Sequence, residues 1–314
     1  MSGQPFRLGT RKSRLATTQS EAIRKALEQA GLSIDVVTME ARGDVDKKTP
    51  LYEIEFESPG LFTKQLENAL FDDRIDLAVH SLKDLPTSQP PGLQISCIPR
   101  REIADDCLVI HPDFHERGGS PLELKAGTVV GTSSLRREAL LISTQPNVNV
   151  VPLRGNIPTR LKTVKEKKVG AVMLARAGLL RLGADLERCV LVPLPAAQFV
   201  PAPAQGALAV QTRVNIPQPL NNALKQLHDP IAEIETTAER QVLRELEGGC
   251  SLPLGVRVQA DMAAKVFRLF AFLGTYEMPP SEMRRWLSFE RFDISESNVE
   301  TLVRKTVAHF KGFL

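Results

Sequence analysis

Apolar residues recur in two rhythms along this chain, and the rhythms alternate over its first two-thirds. Short apolar runs read as strands at 6–9, 34–37, 75–79 and 93–98. Between them, stretches up to residue 30 and over 61–71 have helical spacing, with Ser13 placed to cap the first helix and Gly31 to stop it. The same style returns with strands at 129–131, 148–153 and 171–174 and helices at 135–144 and 157–167. A short helix then ends near Gly183. This alternation predicts two α/β lobes with mainly parallel sheets. No repeat of fixed period accompanies it, so the likeness of the halves is architectural. From 220 onward the pattern changes: helices at 220–227 and 231–246, strand-like runs at 256–259, 267–273 and 287–290, and an amphipathic helix at 299–310. That region reads as a small α+β domain.

A length of 314 residues predicts two or three domains. The net charge of +3 does not indicate a nucleic-acid binder, but it leaves room for local basic clusters that hold a small anion. Met1-Ser2-Gly3-Gln4-Pro5 is no signal peptide, and no apolar run is long enough to span a bilayer. The most apolar stretch, 191–210, is broken by Pro193, Pro195, Pro201 and Pro203 and reads as a crossing linker. With only four cysteines and no export signal, a cytoplasmic location is expected.

In open α/β sheets, ligands bind beyond the carboxyl ends of strands. Polar residues collect at those ends here: Thr10, Arg11, Lys12 and Ser13; His80, Ser81, Lys83 and Asp84; Thr132, Ser133, Ser134, Arg136 and Arg137; Arg154, Gly155, Asn156 and Arg160; Arg176 and Arg181. Five such clusters suggest a cleft for several carboxylates or phosphates. Arg136 and Arg137 stand at a helix N-terminus, where cations oppose the helix dipole unless an anion is present. Read from the residues alone, they are either that anion site or solvated arginines behind a serine cap. Asp84 is either half of an exposed ion pair with Lys83 or a carboxylate set in a cationic cleft. Gln19, on the apolar face of the first helix, needs a buried partner. His80 reads as a core histidine.

Of the four cysteines, Cys97, Cys107 and Cys189 lie in apolar strand-like runs. Cys250 differs. It follows Gly248 and Gly249, which can end the preceding helix, and begins a Cys250-Ser251-Leu252-Pro253-Leu254-Gly255 loop. There a sulfur either meets a ligand or is a structural loop thiol. No spacing suits a metal site.

Taken in order, these motifs resemble the porphobilinogen deaminase (hydroxymethylbilane synthase) family over most of the chain. The anchors are Thr10-Arg11-Lys12-Ser13-Arg14-Leu15-Ala16, Arg42-Gly43-Asp44, Gly60-Leu61-Phe62 and Val79-His80-Ser81-Leu82-Lys83-Asp84. They continue through Gly131-Thr132-Ser133-Ser134-Leu135-Arg136-Arg137, Leu153-Arg154-Gly155-Asn156 and Leu174-Ala175-Arg176-Ala177-Gly178-Leu179. Pro203-Ala204-Gln205-Gly206-Ala207 and Glu247-Gly248-Gly249-Cys250 complete the set.

The resemblance implies two periplasmic-binding-protein-like lobes and a small α+β C-terminal domain: 1–102 with 205–222, 103–204, and 223–314. It implies a dipyrromethane cofactor held by a thioether to Cys250. Four porphobilinogen molecules are then added with loss of ammonia, and hydrolysis frees hydroxymethylbilane, a precursor in tetrapyrrole biosynthesis. Ser81, Lys83, Asp84, Thr132, Ser134, Arg136, Arg137, Arg154 and Gly155 correspond to cofactor-binding positions. Arg11, Gln19, Arg154, Arg160 and Arg181 correspond to substrate-binding ones. Asp84 corresponds to the catalytic carboxylate, which hydrogen-bonds pyrrole nitrogens and steadies a cation as ammonia leaves. A monomer without nucleic-acid or membrane partners is expected. Two departures stand out: Glu57-Ser58-Pro59-Gly60 replaces a Gly-Lys-Gly segment common in the family, and Arg14 replaces a proline. The rival reading is a two-lobed anion-binding protein without catalysis, which would have no need of the Gly-Gly-Cys loop.

Overall fold

A computed structural model describes residues 4–39, 63–247, 252–278 and 284–314. Among these, 4–39, 63–103 and 205–234 form one compact unit, and 104–204 with the described residues from 235 onward form the other.

The first unit is built on β1 (Phe6–Arg11), β2 (Ile34–Met39), β3 (Leu77–Ser81), β4 (Leu93–Cys97) and β10 (Leu208–Arg213), in the order β2-β1-β3-β10-β4. Helix α1 (Arg14–Gln29) starts where the sequence places it, since Ser13 Oγ accepts from Ala16 N at 3.3 Å. Gly31 lies just past its end with φ +87°, a conformation glycine tolerates best. Helix α2 (Lys64–Phe71) covers the other part of this sheet with Leu66, Ala69 and Leu70. Strand β3 begins at Leu77, two residues later than expected. The amide of Arg7 is taken at 2.8 Å by the carboxylate of Asp76, where a strand would offer its backbone. Helix α6 (Gln218–Leu227) closes the core with Leu220, Ala223 and Leu224 packed beside Leu8, Leu77 and Val210.

The second unit repeats this plan with β5 (Asp106–Ile110), β6 (Val129–Gly131), β7 (Asn149–Val151), β8 (Ala171–Ala175) and β9 (Val190–Leu194), in the order β7-β6-β8-β5-β9. Its helices are α3 (Leu135–Thr144), α4 (Ile157–Lys165) and α5 (Arg176–Leu182). Both sheets are mixed, not mainly parallel. In each, the β-α-β strands run parallel, while the strand that enters after a chain crossing, β10 or β5, pairs antiparallel with both neighbours. Such a strand is not returned by a crossover helix, so no handedness rule holds it parallel.

The second unit also holds an antiparallel sheet of β11 (Leu254–Asp261), β12 (Val266–Glu277) and β13 (Arg285–Glu296). These strands outrun the expected 256–259, 267–273 and 287–290, because cross-strand pairing carries even the charged, half-exposed β13. One face of the sheet packs on α7 (Pro230–Glu245) and α8 (Val299–Phe313) through Val242, Val256, Leu269 and Phe310. Phe270 and Phe272, from the other face, join the core containing Ala139, Leu140 and Met173.

Candidate active site

Antiparallel entry has a consequence at the carboxyl ends of the parallel strands. In the first sheet, Leu208 pairs with Ser81, so the residues just before β10 lie beside the end of β3. There the chain forms a 3-10 turn, Leu82–Asp84. Leu82 is fully buried, and its amide donates to Ala207 O at 3.0 Å. Lys83 Nζ reaches Gln205 Oε1 at 3.4 Å. Asp84 is left exposed at the tip, with no hydrogen bond or ion pair among the described residues, so it is not half of a Lys83 ion pair. Buried Gln19 has the partner its position demanded: its Nε2 donates to Ser81 Oγ, on a half-buried residue, at 3.1 Å. Gly206, at φ +88°, cannot gain a Cβ without meeting Glu102 O at 2.4 Å.

His80 is a core residue, as the sequence suggested. Its Nε2 sits 3.0 Å from Gln211 Oε1, and Gln211 Nε2 donates to Gln89 Oε1 at 2.8 Å. Gln89 Nε2 in turn holds Pro86 O at 3.0 Å. The chain of donors assigns the proton to Nε2. Burial first, with the charge of Arg11 adding, depresses the imidazole pKa to about 4, and the bond to Gln211 opposes this. His80 is therefore neutral at pH 7. It helps fix the loop after Asp84 and is placed to do no proton transfer.

In the second sheet, Asp106 pairs with Ala175, so the start of β5 lies at the end of β8. Thr132 is 2% exposed and its Oγ1 accepts from Ser134 N at 3.2 Å. Ser134 caps α3, with Oγ accepting from Arg137 N at 3.5 Å. Arg136 and Arg137 are not solvated: they are 5% and 7% exposed. The anion they required is internal. Fully buried Asp106 places Oδ2 2.8 Å from Arg136 Nη2 and Oδ1 2.7 Å from Arg137 Nη2. Arg136 Nη1 also donates to Val200 O at 2.8 Å, and Arg137 Nη1 to Met173 O at 3.1 Å. Asp106 is the residue that sequence reasoning missed. Its signal was an acid opening an otherwise apolar strand, which cannot stay buried without a cation.

One carboxylate does not neutralise this corner. Arg160 donates from Nε to Gly155 O at 2.8 Å, and Gly155 holds φ +109° to present that carbonyl. Burial first, then the charges of Arg137 and Arg154, push the Arg160 pKa down to about 10, with no acid acting against them. Arg137 Nε and Ser133 Oγ are buried without hydrogen-bond partners among the described residues. A surplus of positive charge and two unsatisfied buried groups fit a ligand carrying several carboxylates. Arg181 is half-buried on α5.

Cys250 and the 57–60 segment lie outside the described residues, as does Arg42-Gly43-Asp44. The flanks of the cysteine loop are nevertheless fixed. Helix α7 ends at Glu245, and Glu247 turns left-handed at φ +53°. On the far side, Val256 N donates to Pro201 O at 3.0 Å, and a Cβ on Gly255 would lie 2.5 Å from Val200 O. That same Val200 carbonyl binds Arg136. The strand leaving the cysteine loop is thus pinned to the backbone that holds the arginine pair. Two of the other three cysteines, Cys97 and Cys107, are buried thiols whose pKa values burial pushes up to about 12. They are inert at neutral pH. Among the described residues no cluster suits a metal ion, and no helix is long and apolar enough to cross a membrane.

Comparison with known proteins gives a consistent result. Residues 6–219 match the family model described as porphobilinogen deaminase, dipyromethane cofactor binding domain. Residues 233–287 match porphobilinogen deaminase, C-terminal domain. The porphobilinogen deaminase of Syntrophotalea carbinolica is 42% identical over 81% of this chain and 78% of its own. That of Mycolicibacterium gilvum is 44% identical over 86% of this chain and 84% of its own. A solved structure with a distant likeness is an ancestral cationic amino acid solute binding protein, at TM-score 0.42 and 14% identity over 71% of this chain and 89% of that one.

Proposed function

Because the chain belongs to the porphobilinogen deaminase family, with both its cofactor-binding and C-terminal domains, we propose the following division of labour among its residues. The activity is that of a transferase of tetrapyrrole biosynthesis using a dipyrromethane cofactor. The observation that carries the assignment of roles is the cationic corner of the second sheet. Arg136 and Arg137 share the buried carboxylate of Asp106, and Arg160 is near enough to Arg137 and Arg154 for their charges to act on it.

These arginines, with Thr132, Ser134 and Gly155, hold the acetate and propionate groups of the cofactor and the growing chain through charge-assisted hydrogen bonds. When bound, the cofactor supplies the pyrrole carbon to which the first substrate is joined. Cys250 is its covalent anchor. Val200 links the strand that follows Cys250 in sequence to Arg136. Arg11, Gln19, Ser81 and Lys83 bind carboxylates at the end of the first sheet, and Arg160 and Arg181 join Arg154 in binding substrate.

Asp84 acts differently. Exposed and without a fixed cationic partner, its carboxylate is open to a pyrrole N–H of the substrate. Positive charge developing on that ring as ammonia departs is then stabilised by the adjacent negative charge. Domain limits of 1–102 with 205–222, 103–204 and 223–314 belong to this reading, as do a monomeric state, a cytoplasmic location and the absence of a nucleic-acid partner.

The direct test is incubation of the purified protein with porphobilinogen, following ammonia and hydroxymethylbilane together. Four ammonia released per bilane is expected. Tight binding of porphobilinogen with no ammonia released would favour the non-catalytic anion-binding reading.

A further inference from the structure

Three consecutive residues of α3 are anchored to three different parts of the second unit. Arg136 reaches Val200 O and Asp106, and Arg137 reaches Met173 O and Asp106. Glu138 reaches the C-terminal sheet: its Oε2 lies 2.6 Å from Arg284 Nη1, and its Oε1 accepts from Trp286 Nε1 at 3.1 Å. Successive helical residues point about 100° apart, so three such anchors fix the rotation of the helix about its axis.

The Glu138 anchor is built with care for its surroundings. The side chains of Arg284 and Glu138 are only 13% and 21% exposed, so this pair is shielded from solvent screening. The Arg284 guanidinium lies 5.1 Å from the Tyr276 ring centroid, and the Tyr276 and Trp286 rings meet edge to face at 5.4 Å. One turn along the contact, a Cβ on Gly274 would stand 3.2 Å from Ala139 Cβ and 3.0 Å from Trp286. The helix and sheet therefore approach closely at the residue following Glu138.

We propose that Glu138 is a positioning residue. By tying α3 to Arg284 and Trp286, it sets the orientation in which Arg136 and Arg137, the latter with its Nε unpartnered among the described residues, face a carboxylate ligand, so the C-terminal sheet tunes anion capture. This rests on the arginine pair being a ligand site, as argued above. It adds Glu138, Arg284 and Trp286 to the residues on which ligand affinity depends.

Trp286 is the single tryptophan of the chain, so its emission reads the anchor itself. The experiment compares wild type with Glu138→Ala, Glu138→Gln, Trp286→Phe and Arg137→Lys, all as purified full-length proteins. Tryptophan emission, melting temperature, cofactor occupancy by intact mass, and KM and kcat for porphobilinogen are measured on each. Glu138→Ala should shift the emission of Trp286 and raise KM about tenfold, the scale of one lost charge-assisted hydrogen bond, with kcat changed much less. Glu138→Gln keeps an oxygen for the indole and should recover part of the loss. Trp286→Phe keeps the ring packing but not the N–H, and should move KM in the same direction by a smaller factor. It also keeps the test decisive if Glu138→Ala fails to fold.

A fall in melting temperature with KM and occupancy unchanged in both Glu138→Ala and Trp286→Phe would reduce the anchor to a structural contact and overturn the proposal. Arg137→Lys separates the two ideas. If it impairs occupancy or KM while the Glu138 variants do not, the positioning claim fails and the arginine site stands. If Arg137→Lys itself leaves ligand capture unchanged, the arginine site is what fails.

Discussion

Two carboxylates lie at the carboxyl ends of the two mixed sheets, and they are in opposite states. Asp106 is fully buried and shared between Arg136 and Arg137. Asp84 is exposed on a short turn with no partner among the described residues. The same topological device stands behind both. An antiparallel strand enters at the end of the parallel ones, bringing Asp106 to the arginine pair of the second sheet and Gln205 to Lys83. In one sheet the entering segment contributes the acid and neutralises part of a cationic corner from within. In the other it contributes a neutral amide, and the acid stays open to a ligand. A carboxylate that must hold protein together is paired and desolvated. The one we propose to meet a developing cation is not committed to a guanidinium among the described residues.

The comparison is broken most severely at Asp106. Asp106→Ala leaves two buried guanidinium groups facing each other without their anion. A loss of roughly 3–5 kcal/mol in folding stability is expected, as for other broken buried ion pairs. Equilibrium denaturation measures it. A loss below about 1 kcal/mol would mean that the arginines find water or another anion at little cost.

The corresponding change in the other sheet should show the reverse. Asp84→Asn should leave the folding stability within about 0.5 kcal/mol of wild type, as for an exposed residue. Its single-turnover rate should fall at least roughly 100-fold, the scale of removing one positioned electrostatic group. A destabilised variant that turns over normally would exchange the roles assigned to the two acids.

His80 adds a pH dependence confined to the first sheet. Its folded pKa, about 4, lies below the ordinary value of 6.5. Between those values the unfolded chain binds the extra proton, so stability falls as pH falls through this window. From pH 7 to pH 5 this single group contributes a loss of about 2 kcal/mol. Denaturation series on wild type and His80→Gln should differ in slope over that range. Parallel curves would show that the imidazole is not buried neutral. The smallest effect belongs to Gln19→Ala, which removes the partner of Ser81. About 1 kcal/mol is expected from one partly buried hydrogen bond, read again by denaturation.

Much of this arrangement was legible in the residue pattern. The strand and helix alternation, the Ser13 and Ser134 caps, the need of Gln19 for a partner and the core position of His80 all follow from local spacing and chemistry. The pairing of Arg136 and Arg137 with Asp106 did not, because the partners are about thirty residues apart, in elements whose adjacency depends on strand direction. Alternation of strands and helices signals parallel pairing, and it carries no mark of which strand enters by a chain crossing. The Glu138 contact with Arg284 and Trp286 spans still more chain, and a glutamate after two arginines reads locally as an ordinary first-turn acid. The length of β13 was hidden by its charged, alternating sequence, which only its partner strand makes into a sheet.

We propose that this protein assembles its own cofactor on Cys250 and extends it under the guidance of the arginine corner. Intact-protein mass spectrometry of wild type and Cys250→Ser, before and after a brief exposure to porphobilinogen, tests it most directly. Wild type should carry a covalent dipyrromethane and then show a ladder of species, each heavier by one pyrrole unit. Cys250→Ser should show the mass of the polypeptide alone in both states, since a hydroxyl is a far poorer nucleophile than a thiolate. A covalent dipyrrole on Cys250→Ser, or a wild-type protein that binds porphobilinogen without ever gaining covalent mass, would contradict the account.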